Sequence, residues 1–142
     1  LTFFPRKEYK PVRYLLDTDI IIYWMKGNRS ISNKIVSEGF SNIASADISK
    51  AELYYGAYKS QRTEANLAAI KNLSERINFV PFNEPAQSVF GMLKADLEKK
   101  GTRLDDVDLM IASTAIAFNL VLVTNNTGHM QRIPGIQIEN WA

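Results

Sequence analysis

The sequence predicts an α/β fold in which a mostly parallel sheet is covered by helices on both faces. Short apolar runs rich in β-branched residues alternate along the chain with longer segments of helical periodicity. Such alternation favours strand–helix–strand units, whose strands are parallel and buried on both sides. In open sheets of this kind, ligands bind beyond the carboxyl ends of the strands. Asp17, Ser45 and Thr124 fall at those ends.

The predicted strands are short and mostly apolar. The first ends at Asp17, and the third is closed by Pro81, which has no N–H to donate to a neighbouring strand. In chain order, we expect strands over 12–16, 42–45, 77–81, 120–123 and 136–138.

Capping residues and glycines bound the predicted helices. Thr18 or Asp19 suits the N-cap of the first helix and Ser30 that of the second, since their side chains accept from free backbone N–H groups. Gly27 and Gly101 are typical of helix ends. We expect helices over 20–25, 30–38, 48–60, 64–76, 84–100 and 106–119.

Composition and length narrow the function classes. Residues 1–12 carry two prolines among charges and indicate a loosely ordered arm, whereas no repeat or linker divides 13–142, which we expect to form a single domain. The absence of cysteine excludes disulfides, thiolate zinc sites and a cysteine nucleophile. The single histidine, His129, argues against a histidine-rich metal site or a Ser-His-Asp triad. Catalysis or metal binding by this chain must therefore rest on side chains that offer oxygen atoms.

The net charge of +2 is compatible with a polyanionic substrate. No apolar run approaches the roughly 18 residues of a membrane-spanning helix. The first residues lack the pattern of a signal peptide. We therefore expect a soluble, cytoplasmic protein.

Asp17 directly follows the first predicted strand. Capping of the next helix is a sufficient role for it. Because Thr18 and Asp19 can cap that helix equally well, a functional role for Asp17 stays open beside the capping role.

Asp108 lies on an apolar helix face. At about 100° per residue it shares that face with Ile111 and Ala112. A buried carboxylate without a partner is costly, so this acid needs a cation, hydrogen bonds or a functional role. Its neighbours Asp105 and Asp106 stand at the helix entry, where capping and the helix dipole account for them.

Glu52 precedes Gly56 by one helical turn. Glycine in a helix interior costs about 1 kcal/mol relative to alanine. We therefore expect something to approach closely beside the glutamate. A glutamate on a solvated helix edge is the alternative.

Asp17, Glu52 and Asp108 together indicate a metal site. Two like charges about 4 Å apart cost about 4 kcal/mol at an effective dielectric of 20, so converging acids take up protons or bind a cation. Oxygen ligands without cysteine or histidine select Mg²⁺ or Mn²⁺. Such an ion acidifies water and neutralises a phosphate oxygen, and phosphodiester hydrolysis is the reaction that this apparatus suits.

Five stretches of the chain resemble a PIN-domain protein, specifically a VapC-type toxin of a bacterial or archaeal toxin–antitoxin pair. They occur in the family's order and at similar spacing over almost the whole chain beyond residue 12. The stretches are 14–18 (YLLDT), 48–56 (ISKAELYYG), 108–112 (DLMIA), 122–126 (LVTNN) and 133–141 (IPGIQIENW).

The resemblance implies a three-layer α/β/α PIN-like fold and Mg²⁺- or Mn²⁺-dependent endoribonuclease activity on RNA. It also implies inhibition by a cognate VapB-like antitoxin and, in many members, a homodimer. The family's acids carry over to Asp17, Glu52 and Asp108. Asp17 and Asp108 would bind the metal, directly or through water, and Glu52 would bind it too or orient the attacking water.

The T-x-N/D element of the family matches Thr124 and Asn126. Thr18 and Thr124 would hydrogen-bond the metal ligands, and Asn126 would orient a water through its amide. Many members carry aspartate where this chain has Asn126, so we expect one metal ion rather than two. His129 stands where relatives often have an acid, and we expect it at the surface.

Two alternatives remain for the activity. The D-T-D motif at 17–19 resembles the nucleophile motif of haloacid-dehalogenase-type phosphatases. That family also needs a pair of acids after a later strand, but no predicted strand precedes Asp105 and Asp108, and Glu52 would be unused. A degenerate PIN domain that binds RNA or a partner protein without cutting is favoured by Asn126 and opposed by the three retained acids.

Candidate contacts with partners lie on the predicted helices. An antitoxin would lay an apolar segment across such a surface and place a basic side chain near the acids. The apolar candidates, about half of which we expect in the core, are Tyr23, Trp24, Met25, Tyr54, Tyr55 and Tyr58. The basic candidates for RNA phosphates are Lys50, Lys59, Arg62 and Arg103.

Overall fold

A computed structural model describes residues 12–142 of the chain. The predicted N-terminal arm over 1–12 lies outside the described residues except for Val12, which packs partly buried against the core. No helix in the described part of the chain is both long enough and apolar enough to cross a membrane.

The described residues form five strands, β1 Tyr14–Leu16, β2 Ile43–Ala46, β3 Asn78–Val80, β4 Val121–Val123 and β5 Ile138–Glu139. They make one sheet in the order β3-β2-β1-β4-β5. Every neighbouring pair is parallel, which confirms the predicted mostly parallel sheet. From β1 the chain adds β2 and β3 on one side and later β4 and β5 on the other.

Helices cover both faces of this sheet, as predicted. The helices are α1 Thr18–Met25, α2 Arg29–Glu38, α3 Asp47–Lys59, α4 Thr63–Arg76, α5 Glu84–Lys99, α6 Asp106–Ala117 and α7 Thr127–Met130. Side chains from α1 to α4 form a core on one face, and side chains from α5 and α6 form a core on the other.

Alternate residues of each central strand point to opposite faces, as the pleat of a strand requires. In β1, Leu16 belongs to the core beneath α1 and α2, whereas Leu15 belongs to the core beneath α5 and α6. In β4, Val123 and Leu122 divide in the same way. All four side chains are fully buried, so β1 and β4 form the rigid centre of the molecule.

The capping role left open for Asp17 is confirmed, whereas the N-caps predicted at Thr18 or Asp19 and at Ser30 are wrong. The first helix begins at Thr18 with Asp17 as its N-cap. The second helix is capped by Asn28, whose Oδ1 accepts from the backbone N–H of Ile31 at 3.0 Å. Ser30 instead lies inside the first turn and donates its hydroxyl to the carbonyl of Trp141 at 2.7 Å. A long-range acceptor therefore competes with the capping role.

Two short helical elements and the last strand differ from the predictions. The one-turn helix α7 and a 3₁₀ turn at Phe40–Asn42 are too short to show a hydrophobic period. The last strand is Ile138–Glu139 rather than 136–138. Gly135 has φ +80, which turns the chain before it can join the sheet.

Candidate functional site

The candidate site lies where β1 and β4 end side by side. The strand order reverses between these two strands, which is where open parallel sheets have a crevice at their carboxyl edge. Asp17 follows β1 and Thr124 follows β4. The backbone N–H of Asp17 donates to the carbonyl of Val123 at 2.8 Å, so the pairing of the strands continues to the site itself.

Asp17 is almost completely buried, with 4% of its surface exposed. Its Oδ1 accepts from the backbone N–H of Thr18, and its Oδ2 accepts from the hydroxyl of Thr124, both at 2.8 Å. Burial raises the pKa of Asp17 to about 7, and the negative charges of Asp19 and Asp108 act in the same direction. The two hydrogen bonds oppose that rise and hold the carboxyl group in one orientation. Asp17 is thus both a helix N-cap and a buried acid whose ionisation is opposed by burial and by neighbouring negative charges.

Asp108 stands in the first turn of α6, half-buried. Its pKa is raised by burial first and then by the charges of Asp105, Glu52 and Asp19. Asp105 occupies the N-cap position but makes no side-chain capping bond, contrary to the role that we predicted for it. Asp106 turns away and pairs with Lys94 at 3.0 Å.

Glu52 is exposed, and its Oε1 accepts from the hydroxyl of Thr18 at 2.6 Å. The same hydroxyl lies 2.9 Å from Oγ of Ser49, which is fully buried. Thr18 has one hydrogen, and a carboxylate only accepts, so Ser49 donates to Thr18 and Thr18 donates to Glu52. This chain of hydroxyls links α1 to α3 and fixes Glu52 on the side of the site.

Gly56 does not have the close neighbour that we expected within the chain. A Cβ placed there would meet nothing within 4 Å. Gly56 lines an open groove that also contains Glu52, so the space beside the glutamate is available to a molecule from outside.

Two residues of the site escaped sequence reasoning. Asp19 Oδ2 accepts from the backbone N–H of Asn125 at 3.1 Å, which ties the start of α1 to the segment after β4. Burial raises the pKa of Asp19 as well. The D-x-D spacing at 17–19 was the available signal for Asp19, and the three-residue spacing on α3 was the signal for Ser49 beside Glu52. The acid cluster therefore comprises Asp17, Asp19, Glu52 and Asp108.

Asn126 enters the site with its amide nitrogen rather than its oxygen. Its Nδ2 lies 3.4 Å from Oδ2 of Asp108, and its Oδ1 lies 2.7 Å from Nδ1 of His129. Its backbone N–H donates to the hydroxyl of Thr124 at 3.0 Å. His129 is exposed, as expected, but it is joined to the site through this amide.

The donor set of the acid cluster fits a hard divalent cation. Residues 12–142 form three ion pairs, and none of them includes a member of the cluster. In the same part of the chain, no three acidic or histidine side chains converge closely enough to hold one ion directly. Mg²⁺ is commonly bound by one or two carboxylates and keeps several waters, which is the mode that this spacing allows.

An apolar groove runs from Glu52 between α1, α3 and α4, with a volume of about 450 Å³. Ile22, Met25 and Leu53 contribute to its lining. Among the apolar interface candidates, Trp24 packs half-buried against the core, and the others are exposed. Core packing therefore takes fewer of these side chains than the half that we expected.

Two of the four basic candidates for phosphate contact lie on α3. The ammonium group of Lys59 lies 5.7 Å from the ring centroid of Tyr55, and that of Lys50 lies 5.0 Å from the ring centroid of Phe79. Arg62 and Arg103 are exposed in the loops before α4 and α6. None of these four side chains is among the described residues that line the groove, and Arg103 lines a separate pocket with Asp105 and Asp106.

Comparison with known proteins gives one family. The family model of the PIN domain matches residues 14–136. The chain is 33% identical over 131 residues to ribonuclease VapC2 of Haemophilus influenzae, covering 92% of this chain and 99% of that protein. It is 35% identical over 131 residues to the tRNA(fMet)-specific endonuclease VapC of Salmonella typhimurium, with the same shares covered.

Solved structures of similar fold are toxin–antitoxin complexes. The chain matches VapBC2 of Rickettsia felis, bound to a DNA fragment from its promoter, with a TM-score of 0.85 and 37% identity over 91% of this chain and 98% of that one. It matches DNA-bound VapBC of Salmonella typhimurium with a TM-score of 0.89 and 34% identity over 93% of this chain and 100% of that one.

Proposed function

The chain belongs to the PIN-domain family, among its VapC-type ribonucleases, and from this we propose that it is the toxin of a toxin–antitoxin pair. Its activity is divalent-metal-dependent endonucleolytic hydrolysis of RNA, with Mg²⁺ or Mn²⁺ as the ion. RNA and antitoxin meet in the cytoplasm, where the protein acts. The names of its relatives and the two-protein assemblies of its structural neighbours support this proposal.

One observation carries the metal-dependent activity. Asp17 is buried at the crevice between β1 and β4, its pKa is raised to about 7, and the neighbouring charges are those of other acids. Ionisation of a carboxyl group in such an arrangement costs the fold stability. It becomes favourable when a cation binds, because the cation offsets both the burial of charge and the repulsion.

Each side chain of the site has a role in this proposal. Asp17 and Asp108 would hold the ion, directly or through water, and Glu52 would bind it through water or orient the attacking water. Thr124 and Thr18 hold the carboxyl groups of Asp17 and Glu52 in place through their hydroxyls. A bound divalent ion supplies a positive charge beside the phosphate and acidifies water.

RNA cleavage by point variants tests the site. We expect Asp17→Asn and Asp108→Asn to lower the rate of cleavage with Mg²⁺ or Mn²⁺ at least roughly 100-fold. Loss of a group that only hydrogen-bonds a metal ligand costs up to about 100-fold in activity, and loss of a ligand itself should cost no less. Asp106→Asn is the matched control, because Asp106 lies two residues from Asp108 and pairs with Lys94 outside the site. EDTA should abolish cleavage by the wild type. Mapping the ends of the cut RNAs would identify the target.

The outcomes separate the alternatives. Cleavage at the wild-type rate by Asp17→Asn would disprove the proposed site. RNA binding without metal-dependent turnover would indicate a degenerate PIN domain. Turnover of p-nitrophenyl phosphate without RNA cleavage would indicate the phosphatase, although the family match over residues 14–136 favours the PIN-domain interpretation.

The antitoxin would occupy the apolar groove. Its apolar segment would lie against Ile22 and Leu53, and a basic side chain would reach Glu52 at the end of the groove. We expect Gly56→Leu to weaken antitoxin binding in calorimetry, because the new side chain fills the groove. Gly91→Leu is the control, since Gly91 also lies inside a helix with open space around it. Equal affinities for both variants would place the antitoxin elsewhere.

A homodimer is the remaining part of the proposal, and it rests on the family alone. Sedimentation equilibrium of the chain without its antitoxin tests it. A mass near twice 16.1 kDa supports the dimer, and a single-chain mass at micromolar concentration contradicts it.

A further inference from the structure

Three side chains connect the surface of the molecule to the acid cluster. His129 is exposed, Asn126 is half-buried, and Asp108 lies behind them. Nδ1 of His129 is 2.7 Å from Oδ1 of Asn126, and Nδ2 of Asn126 is 3.4 Å from Oδ2 of Asp108. The imidazole thus reaches the carboxyl group through one amide.

The local fold holds this arrangement in place. The short helix α7 sets His129 three residues after Asn126, a spacing that brings side chains to the same side of a helix. Met130, the next residue, is fully buried and fastens the turn to the core. Its backbone N–H donates to the carbonyl of Asn126 at 3.1 Å. His129 therefore points outward from a fixed backbone.

The amide can face the acid with either end, and the imidazole decides which. If Nδ1 of His129 carries a hydrogen, it donates to Oδ1 of Asn126, and the NH₂ group then faces Asp108. If Nδ1 carries none, the NH₂ group turns to the ring and the amide oxygen faces Asp108. An ionised carboxylate only accepts, so the second arrangement sets two acceptors against each other. The first arrangement satisfies all three groups.

We propose that His129 is a positioning residue: its Nδ1–H fixes the amide of Asn126 so that the NH₂ group donates to Asp108. The role of Asp108 in this statement rests on the proposed function. The donated hydrogen bond restrains one carboxyl oxygen of Asp108 and leaves the other available to the site. Asn126, held by His129, thus gives Asp108 a hydrogen-bond donor, which an ionised acid at the same position could not provide.

The tautomer of His129 tests the geometry without any enzymatic assay. His129 is the single histidine of the chain, so a tag-free, ¹⁵N-labelled sample shows one imidazole in a long-range ¹H–¹⁵N spectrum. At pH 8.5, without metal, we expect the neutral ring to be mainly the Nδ1–H tautomer. Asn126→Ala should return it towards Nε2–H, the form that free imidazole side chains prefer. A wild-type ring that is mainly Nε2–H, or unchanged by Asn126→Ala, would overturn the proposal.

Kinetics test the consequence for Asp108. We expect His129→Phe to lower kcat for RNA cleavage about 10-fold and to leave KM and the unfolding midpoint unchanged. Groups that support a metal ligand through hydrogen bonds typically contribute about 10- to 100-fold, and His129 acts on Asp108 through Asn126. His129→Gln should recover most of kcat, because its amide N–H can donate to Asn126. Gln131→Phe is the control on the exposed surface of the same loop.

The failures are distinguishable. Equal loss in the Phe and Gln variants, or a change in KM alone, would contradict the positioning role and indicate a contact between the ring and RNA. If the wild type cleaves no RNA but shows the expected tautomer, the proposed function fails and the positioning of Asn126 by His129 stands.

Discussion

Replacing Asp17 by asparagine removes a carboxyl group whose ionisation the fold opposes. The pKa of Asp17 is raised from 3.8 to about 7, mainly by burial. One pKa unit corresponds to about 1.4 kcal/mol, so the ionised group costs the metal-free protein about 4 kcal/mol of stability. Because the pKa is higher in the folded state, the stability linked to Asp17 is fully present below pH 3.8 and is lost as the pH rises through about 7.

Urea unfolding of the wild type and Asp17→Asn in EDTA, at pH 5 and pH 8, measures this cost. Asparagine keeps an oxygen that accepts from Thr18 N–H and has no proton to lose. Between the two pH values, we expect the wild type to lose about 2–3 kcal/mol more of its free energy of unfolding than the variant. The other acids are common to both proteins, so the difference reports Asp17 together with its repulsion by Asp19 and Asp108.

Two results would refute this reasoning. Stabilities that change in parallel with pH would show that the fold does not resist ionisation of Asp17.

At pH 8, adding Mg²⁺ should stabilise the wild type, because an ion that binds only the folded state raises its stability. Equal stabilisation of Asp17→Asn would show that this carboxylate does not hold the ion.

Substitutions at three further positions test the hydrogen bonding, the packing and the backbone conformation in and before β4 and directly after it. Thr124→Val removes the donor to Asp17 and should cost about 1–3 kcal/mol in urea unfolding, whereas Thr124→Ser should retain most of it. Leu122→Ala opens a cavity in a fully buried position of β4 and should cost about 2–5 kcal/mol, seen as a lower Tm. Asn119 has φ +56, so Asn119→Ala should cost about 1–2 kcal/mol and Asn119→Gly should not; equal losses would contradict the backbone argument.

The sequence predicted the layers of the fold because the hydrophobic patterns of its long elements are unambiguous. β1 and β4 are apolar runs that end at polar residues, and their parallel pairing follows from the helices between them. The N-caps were less predictable. Ser30 and Asn28 both suit a cap, and the choice depends on the carbonyl of Trp141, which is distant in sequence.

The sequence indicated three of the four acids of the cluster but neither Asp19 nor the hydrogen bonds that connect the site. Asp17 and Asp108 stood out because each follows or faces apolar residues. Ser49 and the amide orientation of Asn126 depend on hydrogen bonds between elements far apart in the sequence. A periodic pattern carries no information about such contacts, since it records one element at a time.

The two faces of the sheet can diverge at different rates in evolution. Neighbouring strand residues supply opposite cores, so a change in volume beneath α1 and α2 leaves the packing beneath α5 and α6 unaltered. Substitutions in separate cores should add in their effects on stability. Side chains that shape the groove, such as Leu53, belong to one core, whereas Asp108 stands on a helix of the other. A lineage can therefore change a groove side chain such as Leu53 without repacking the core beneath the helix of Asp108, whereas a change at Glu52, which lines the groove, affects both the groove and the acid cluster.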